Sequence, residues 1–366
     1  MNRGRLAILQ GFLSEDRDNA ALLADTCDEA IAAGEHAAAD RLLAHSLVLA
    51  LDDVAWTARR VRLALARHAW DEALARLQQL RQRSGEHPAL AHDVAYVHFR
   101  RGAFAECQQA IEPWLVPDAL ALQDEAVRTA LQVLWLRAAH HQGALVPARD
   151  RASSWSEHAC LSPAAAGVAA LVALDLADFA AAKILADTAL RAGALTTEAL
   201  VARACAALAE GETAAAQAWL GQALQLHPDD GRTWSALGMA SLQARDPAAA
   251  RTQFARATHV MPTHIGTWHG LGWSCLLLQD RVGALAAFEQ ALALDRTFSE
   301  SQAAVGLVLM MSGRADEAEH HLARAERLGG GNVTGRYARA LQSGQLKDAD
   351  AVRELAERLL QRRLDL

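Results

Sequence analysis

The apolar positions of this chain return in a fixed register. Ala182, Ala216, Ala250, Ala284 and Ala318 stand 34 residues apart. Ala189, Ala223, Ala257, Ala291 and Ala325 keep the same step, and so do Ala170, Ala204, Gly238, Gly272 and Gly306. Three small-residue columns in one register define a repeat array, even in an alanine-rich chain. Read backwards, the register recovers Ala39, Ala73 and Cys107, and a longer step of 41 then leads to Ala148 before 34 resumes. Nine units result, starting near residues 20, 54, 88, 129, 163, 197, 231, 265 and 299. The extra residues of the long step fall around Glu112–Asp118, where Pro113 and Pro117 forbid a continuous helix and place a loop or bend.

Inside each unit the punctuation is that of a helix pair. Gly34, Gly102, Gly143, Gly211 and Gly313 share one repeat position, where a glycine turn joins two helices. Asp246-Pro247 supplies an equivalent break, and Pro228 and Pro262 close second helices. Helices of about 12 to 14 residues are marginal alone and need stacking on neighbours. The small columns let paired helices approach closely, and Leu43, Leu77, Ile111, Leu220, Phe254, Phe288 and Leu322 are the large residues that fill the facing holes.

Two units carry the pattern most fully. They read Trp234, Leu237-Gly238, Ala250, Phe254, Ala257 and Pro262, then Trp268, Leu271-Gly272, Ala284, Phe288 and Ala291. This resembles the tetratricopeptide repeat, with its aromatic, Leu-Gly, Ala, Phe, Ala and Pro at a 34-residue period. The resemblance is fullest over 197–330 and thinner over 20–118. Arg60 and Arg203 stand where the family prefers leucine, and Thr57, Ala91 and Gln132 replace the usual aromatic. The fold implied is all-α, a right-handed superhelical solenoid of about nine helix-turn-helix units with capping helices at both ends. Residues 1–118 hold a starting helix (Leu6–Leu13) and three divergent repeats, 119–330 hold six repeats, and 331–366 hold the closing helices. Gly329-Gly330-Gly331 forms the joint before that closing pair, whose last helix bears Glu354, Glu357, Arg358, Arg362 and Arg363 on a polar outer face.

Composition agrees with helices. Strong helix formers dominate, aromatic residues are 5%, and period-two runs of β-branched residues are absent. A formal charge of −7 gives no reason to expect a polyanion, so no nucleic-acid partner is implied. Five widely spaced cysteines without a CxxC pair speak against structural zinc and a disulfide framework, and fit a cytoplasmic setting. Met1–Leu13 does not read as a signal peptide. The least polar stretch, Ala159–Leu174, is interrupted by Pro163 and too short to span a bilayer. Many arginines with only two lysines, Lys183 and Lys347, point to a GC-rich bacterial genome.

In tetratricopeptide arrays the first helix of each unit lines the concave face, so the resemblance locates a groove there. Its candidate binding residues are Arg232, Ser235, Met239, Leu242, His269, Trp273, Leu276, Leu277, Leu307, Met310 and Met311. This apolar strip, with adaptable methionines and one tryptophan anchor, suits an amphipathic helix or apolar peptide. Internal packing and self-association into a homo-oligomer are the competing readings of the same strip. A second, more polar strip comprises His92, Tyr96, Phe99, Arg100, Arg137, His140 and His141, suited to acidic or phosphorylated groups or simply to a solvated surface. Asn2, Asn19 and Asn332 are the only asparagines, so neither an asparagine ladder nor a Lys/Asn carboxylate clamp can be assembled. Arginines 59, 60, 62, 67, 76, 81 and 83 cluster in the second unit, spread over all helix faces, and read as a solvated face opposed by Asp71 and Glu72.

No Gly-rich phosphate loop, GxSxG or HExxH occurs, and the adjacent pairs His140-His141 and His320-His321 diverge by about 100° on a helix. No catalytic residue, metal or cofactor is therefore expected. The function expected is a non-enzymatic scaffold or adaptor that binds a protein segment, a chaperone-like role included. The alternative is a regulatory or sensor subunit of an enzyme, secretion or glycosylation system, with a hinge at Pro113–Pro117.

Overall fold

The computed structural model describes residues 3–329 and 332–344, and among these every regular element is helical. Two compact units divide the chain, Met1–Ala165 and Ala166–Leu366. The first opens with α1 (Arg3–Glu15) and continues as hairpins α2 (Ala20–Ala32) with α3 (His36–Val48), α4 (Val54–Ala66) with α5 (Trp70–Ser84), and α6 (Pro88–Arg100) with α7 (Phe104–Ile111). A 3-10 turn (Glu112–Trp114) and short α8 (Pro117–Ala121) lead to α9 (Glu125–His141) and α10 (Leu145–Glu157). The boundary between units falls in the first turn of α11 (Pro163–Asp175), which is followed by α12 (Phe179–Arg191). The second unit continues with α13 (Thr197–Ala209) and α14 (Thr213–Leu226), α15 (Gly231–Gln243) and α16 (Pro247–Val260), then α17 (Ile265–Leu277) and α18 (Arg281–Leu294). It ends with α19 (Ser299–Met311), α20 (Ala315–Leu328) and α21 (Val333–Gln342).

The first helix of eight units begins on the residue that the register names; α9 alone starts one turn earlier, at Glu125. The residues expected to form the last helix, Asp348–Leu366, and the joint residues Gly330 and Gly331 lie outside the described residues.

One backbone device makes every hairpin. The fifteenth residue of each unit takes a left-handed conformation: Gly34, His68, Gly102, Gly143, Ala177, Gly211, Arg245, Gln279 and Gly313, with φ between 59° and 78°. The following residue donates its N–H five positions back, as from Glu35 to Ala30, Asp246 to Ser241 and Asp280 to Cys275, satisfying carbonyls that the helix end leaves open. Asn19, Asp53, Asp124, Thr196, Asp230, His264 and Asn332 then cap the next first helices, each accepting from the N–H three residues on.

The small columns are closed to solvent. All five residues of the first column are fully buried, as are Phe288 and Leu220 opposite them. A Cβ on Gly272 would lie 2.5 Å from the Phe288 ring, and one on Gly238 2.7 Å from the Phe254 ring, so both aromatics occupy space that only glycine leaves free. Hydrogen bonds fix first-helix side chains both at pattern positions and where the repeat departs from pattern. Trp234 and Trp268 donate Nε1–H to the carbonyls of Pro228 and Pro262, each at 2.8 Å; Gln302, at the same repeat position, donates to the carbonyl of Arg296 at 3.0 Å. Gln132 bridges the turn after α10, donating to Cys160 O and accepting from Ser162 N. Arg60, 9% exposed, pairs with Asp52 at 2.7 Å, and Arg203 pairs with Asp187 at 2.9 Å.

Candidate protein-binding site

The strip proposed on the first helices of the second unit separates into interior and accessible parts. Leu242, His269, Leu276 and Leu307 are buried, at 6, 3, 3 and 1% exposure, and therefore do not present a binding surface. His269 Nε2 meets Ser301 Oγ at 2.8 Å, and its ring lies 5.4 Å from Phe288 and 5.7 Å from Phe298. This histidine links adjacent repeats. On α19 the whole run Ser301–Leu309 is buried, because from Ala303 onward that helix is apolar on every side and it packs against α18, α20 and α21.

What remains accessible is half-buried: Arg232, Ser235, Met239, Trp273, Leu277, Met310 and Met311. Trp273 meets Phe288 edge-on at 5.6 Å, and Met310 and Met311 rest on the same core as Val305 and Leu309. Each apolar side chain thus has one side anchored and one side open. Arg232 reaches Asp175 on α11 through two contacts of 3.1 Å. Ser235 Oγ meets Thr267 Oγ1 at 3.3 Å.

In the first unit the polar strip resolves into two ring clusters. Tyr96 stacks with His92 at 6.4 Å and meets Trp70 edge-on at 6.5 Å, while Arg100 lies over both Trp70 and Tyr96. Phe99, Phe104 and His141 form the second cluster, with centroids 5.0–5.4 Å apart, and His140 abuts His141 at 6.3 Å. Arg137 is exposed on the same helix as the two histidines. Trp70, His68 and Phe104 belong to these clusters and are absent from the sequence-based strip. All three stand in or beside hairpin turns, at repeat positions the first-helix rule does not sample.

The arginine cluster has partners that the sequence reading missed. Arg59 and Arg62 both bind Asp28, Arg60 and Arg83 both bind Asp52, Arg67 binds Asp40, and Arg81 binds Glu86. Five of these arginines thus reach acids of the preceding hairpin or its connecting loop, so the cluster stitches neighbouring repeats together. Hydrogen bonds from Arg83 and Arg60 hold the Asp52 carboxyl below its usual range.

The long step at Glu112–Asp118 is packed. Leu115 and Leu120 are fully buried, Glu112 accepts from Trp135 Nε1 at 3.0 Å and pairs with Arg151, and Trp155 Nε1 donates to Leu115 O at 3.0 Å. Arg151 lies 5.0 Å over the Trp135 ring. A segment so fixed on α9 and α10 is a poor hinge.

Residues 207–271, from the end of α13 into α17, match the family model described as Tetratricopeptide repeat. Residues 207–271 carry tetratricopeptide repeats. No curated protein matches the sequence. Among solved structures, the chain resembles one in the "Crystal structure of APC/C hetero-tetramer Cut9-Hcn1", at TM-score 0.56 and 16% identity, over 80% of this chain and 56% of that one. The match therefore spans little more than half of that protein's length, and at this identity it speaks for the fold. "Crystal structure of MamA" aligns with 43% of this chain and 91% of its own at 20% identity, but its TM-score of 0.39 is too low to carry an inference.

Burial pushes the thiols of Cys27 to about 11 and of Cys107 and Cys205 to about 12, and raises Cys160 and Cys275 as well. At neutral pH these cysteines stay protonated and act as small apolar residues. Among the described residues no three His, Cys, Asp or Glu side chains group as a metal set. No described helix is long and apolar enough to cross a membrane.

Proposed function

We propose that this protein is a non-enzymatic scaffold whose second unit holds an amphipathic helix or apolar segment of another protein against the first helices α15, α17 and α19. One observation carries the reading: Met239, Trp273, Leu277, Met310 and Met311 lie half-buried along these successive helices, anchored beneath and open above. Methionine adapts to an irregular partner face, tryptophan supplies a large anchor, and such residues dominate binding energy where water is excluded. Leu242, His269, Leu276 and Leu307 serve that surface from below, by fixing the spacing of the helices. Arg232, tied to Asp175, forms a polar margin at one end, where a charged residue of the guest helix sets its direction. The setting we propose is bacterial and cytoplasmic, and a chaperone-like adaptor is one form of the same role.

The test is a binding measurement with the protein captured on this chain from its native cell. Trp273→Ala combined with Met310→Ala should weaken that complex by at least about 2 kcal/mol, with helical content unchanged. Equal affinity in a folded double variant removes the strip from consideration and leaves it as internal packing.

A further inference from the structure

We infer that the first unit carries a separate receptor for the side-chain carboxylates of an acidic peptide, centred on Arg100. This inference rests on none of the residues between 232 and 311. Arg100 is the last residue of α6 and is exposed. Its guanidinium lies 5.2 Å from the Trp70 ring centroid and 5.8 Å from that of Tyr96, and Nη1 donates to the Tyr96 hydroxyl at 2.9 Å. The two rings meet edge-on at 6.5 Å, and each is backed by a further ring. His68 stacks on Trp70 at 5.1 Å and 18°, and His92 stacks on Tyr96 at 6.4 Å and 17°. A long flexible side chain is thereby held in one place before any ligand arrives.

Other arginines of the first unit are committed to protein carboxylates: Arg62 to Asp28, Arg67 to Asp40, Arg101 to Asp71 and Arg83 to Asp52. Arg100 differs. Among the described residues it has no carboxylate partner, and its one hydrogen bond goes to a neutral phenol. The remaining N–H groups of the planar fork suit two-point binding of a carboxylate. Because Trp70 and Tyr96 already fix the guanidinium, ligand binding does not have to order it, which removes a usual entropic cost.

The surroundings select the ligand. Phe99, the residue before Arg100 on α6, forms a second ring cluster with Phe104 and His141, with centroids 5.0–5.4 Å apart, which gives apolar or aromatic residues flanking the acid a surface to rest on. Asp93 stands 3.4 Å from His92 on the same strip. Its charge opposes a doubly charged phosphate more than a singly charged carboxylate. A glutamate- or aspartate-rich segment with interspersed aromatic residues fits both features.

The test uses the full chain and a dye-labelled peptide of alternating glutamate and tyrosine, read by fluorescence anisotropy. A glutamine counterpart and a phosphoserine counterpart run beside it. We expect saturable binding of the glutamate peptide, weakened at least about tenfold by Arg100→Gln and also by Arg100→Lys, which keeps the charge but loses the fork. Tyr96→Phe should give a smaller loss, because it frees the guanidinium without removing it. Arg101→Gln and Trp273→Ala should bind as the parent does, and all five variants should keep its helical circular dichroism. The assignment is overturned if the glutamate peptide does not bind, if glutamine peptide binds as tightly, or if the phosphoserine peptide alone binds. It is equally overturned if Arg100→Lys retains parental affinity, or if Trp273→Ala abolishes binding while Arg100→Gln does not.

Discussion

At the level of single residues, the left-handed turn position exposes where the chain stores strain. A left-handed backbone is easy for glycine and costs a residue with a Cβ about 1 kcal/mol. His68, Ala177, Arg245 and Gln279 bear that cost, while five glycines do not. Gln279→Gly should therefore raise the melting temperature, or leave it unchanged after the added flexibility of the unfolded chain is counted. Gly313→Ala, with open space around the new methyl, should lower stability by about 1 kcal/mol in chemical denaturation. Equal stability of Gly313→Ala and its parent would show that the turn relaxes. A titratable residue gives a second prediction. Burial depresses the His321 imidazole, whose Nδ1 lies 2.9 Å from Gln302 Oε1; Glu289, Glu317, His320 and Arg324 also face it. The unfolded chain then takes up this proton more readily than the folded one. The contribution is intact above pH of about 6.5 and declines as pH falls below it. Thermal melts at falling pH should show that loss, and His321→Gln should reduce it. Of these two features the glycine turns were legible in the sequence, since five glycines share a register. Burial of His321 was not, because its neighbours come from another helix.

Among elements, the first helices owe their placement to capping and their closeness to small residues. Ala250 is fully buried, and Phe254, one turn further along α16, fills the space left by Gly238 and Gly270. Ala250→Leu should overpack this contact and destabilise by roughly 1–3 kcal/mol. A variant with unchanged denaturation midpoint would mean the helices part freely. The hairpins were legible because a small residue facing a large one constrains both sequence positions. The joint at Glu112–Trp114 was legible only as a break. Its attachment through Trp135, Arg151 and Trp155 depends on pairings 23 to 40 residues apart that no periodicity announces. Arginine partners escaped for the same reason. Asp28 and Asp52 lie outside the helix pair that carries the arginines they bind.

Across the whole molecule, the two compact units each carry their own accessible first-helix surface, one apolar with methionine and tryptophan, the other ringed and cationic. The sequence located both strips by repeat position. It overcounted the first, because depth is set by how near the next first helix comes. Ser301 and Phe298 close over His269, and α21, with Gly335 against Ala303, packs on the helix that holds Leu307 inside. It undercounted the second, whose ring walls stand in hairpin turns. Fold class follows from spacing alone, whereas accessibility follows from distances between neighbours, which a single chain of letters does not encode.

The uniform turn has an evolutionary and an engineering consequence. Arg245 and Gln279, 34 residues apart, have left-handed φ angles of 61° and 62°, and an aspartate cap follows each. Excising residues 246–279 would splice α15 directly to Asp280 and α18, re-forming the same corner and seating Phe288 opposite Gly238. The shortened product should remain helical and melt cooperatively, as circular dichroism would show. Such a chain can change length by clean deletion or duplication of a module, so relatives differing by whole multiples of this block would need no new corner to be invented.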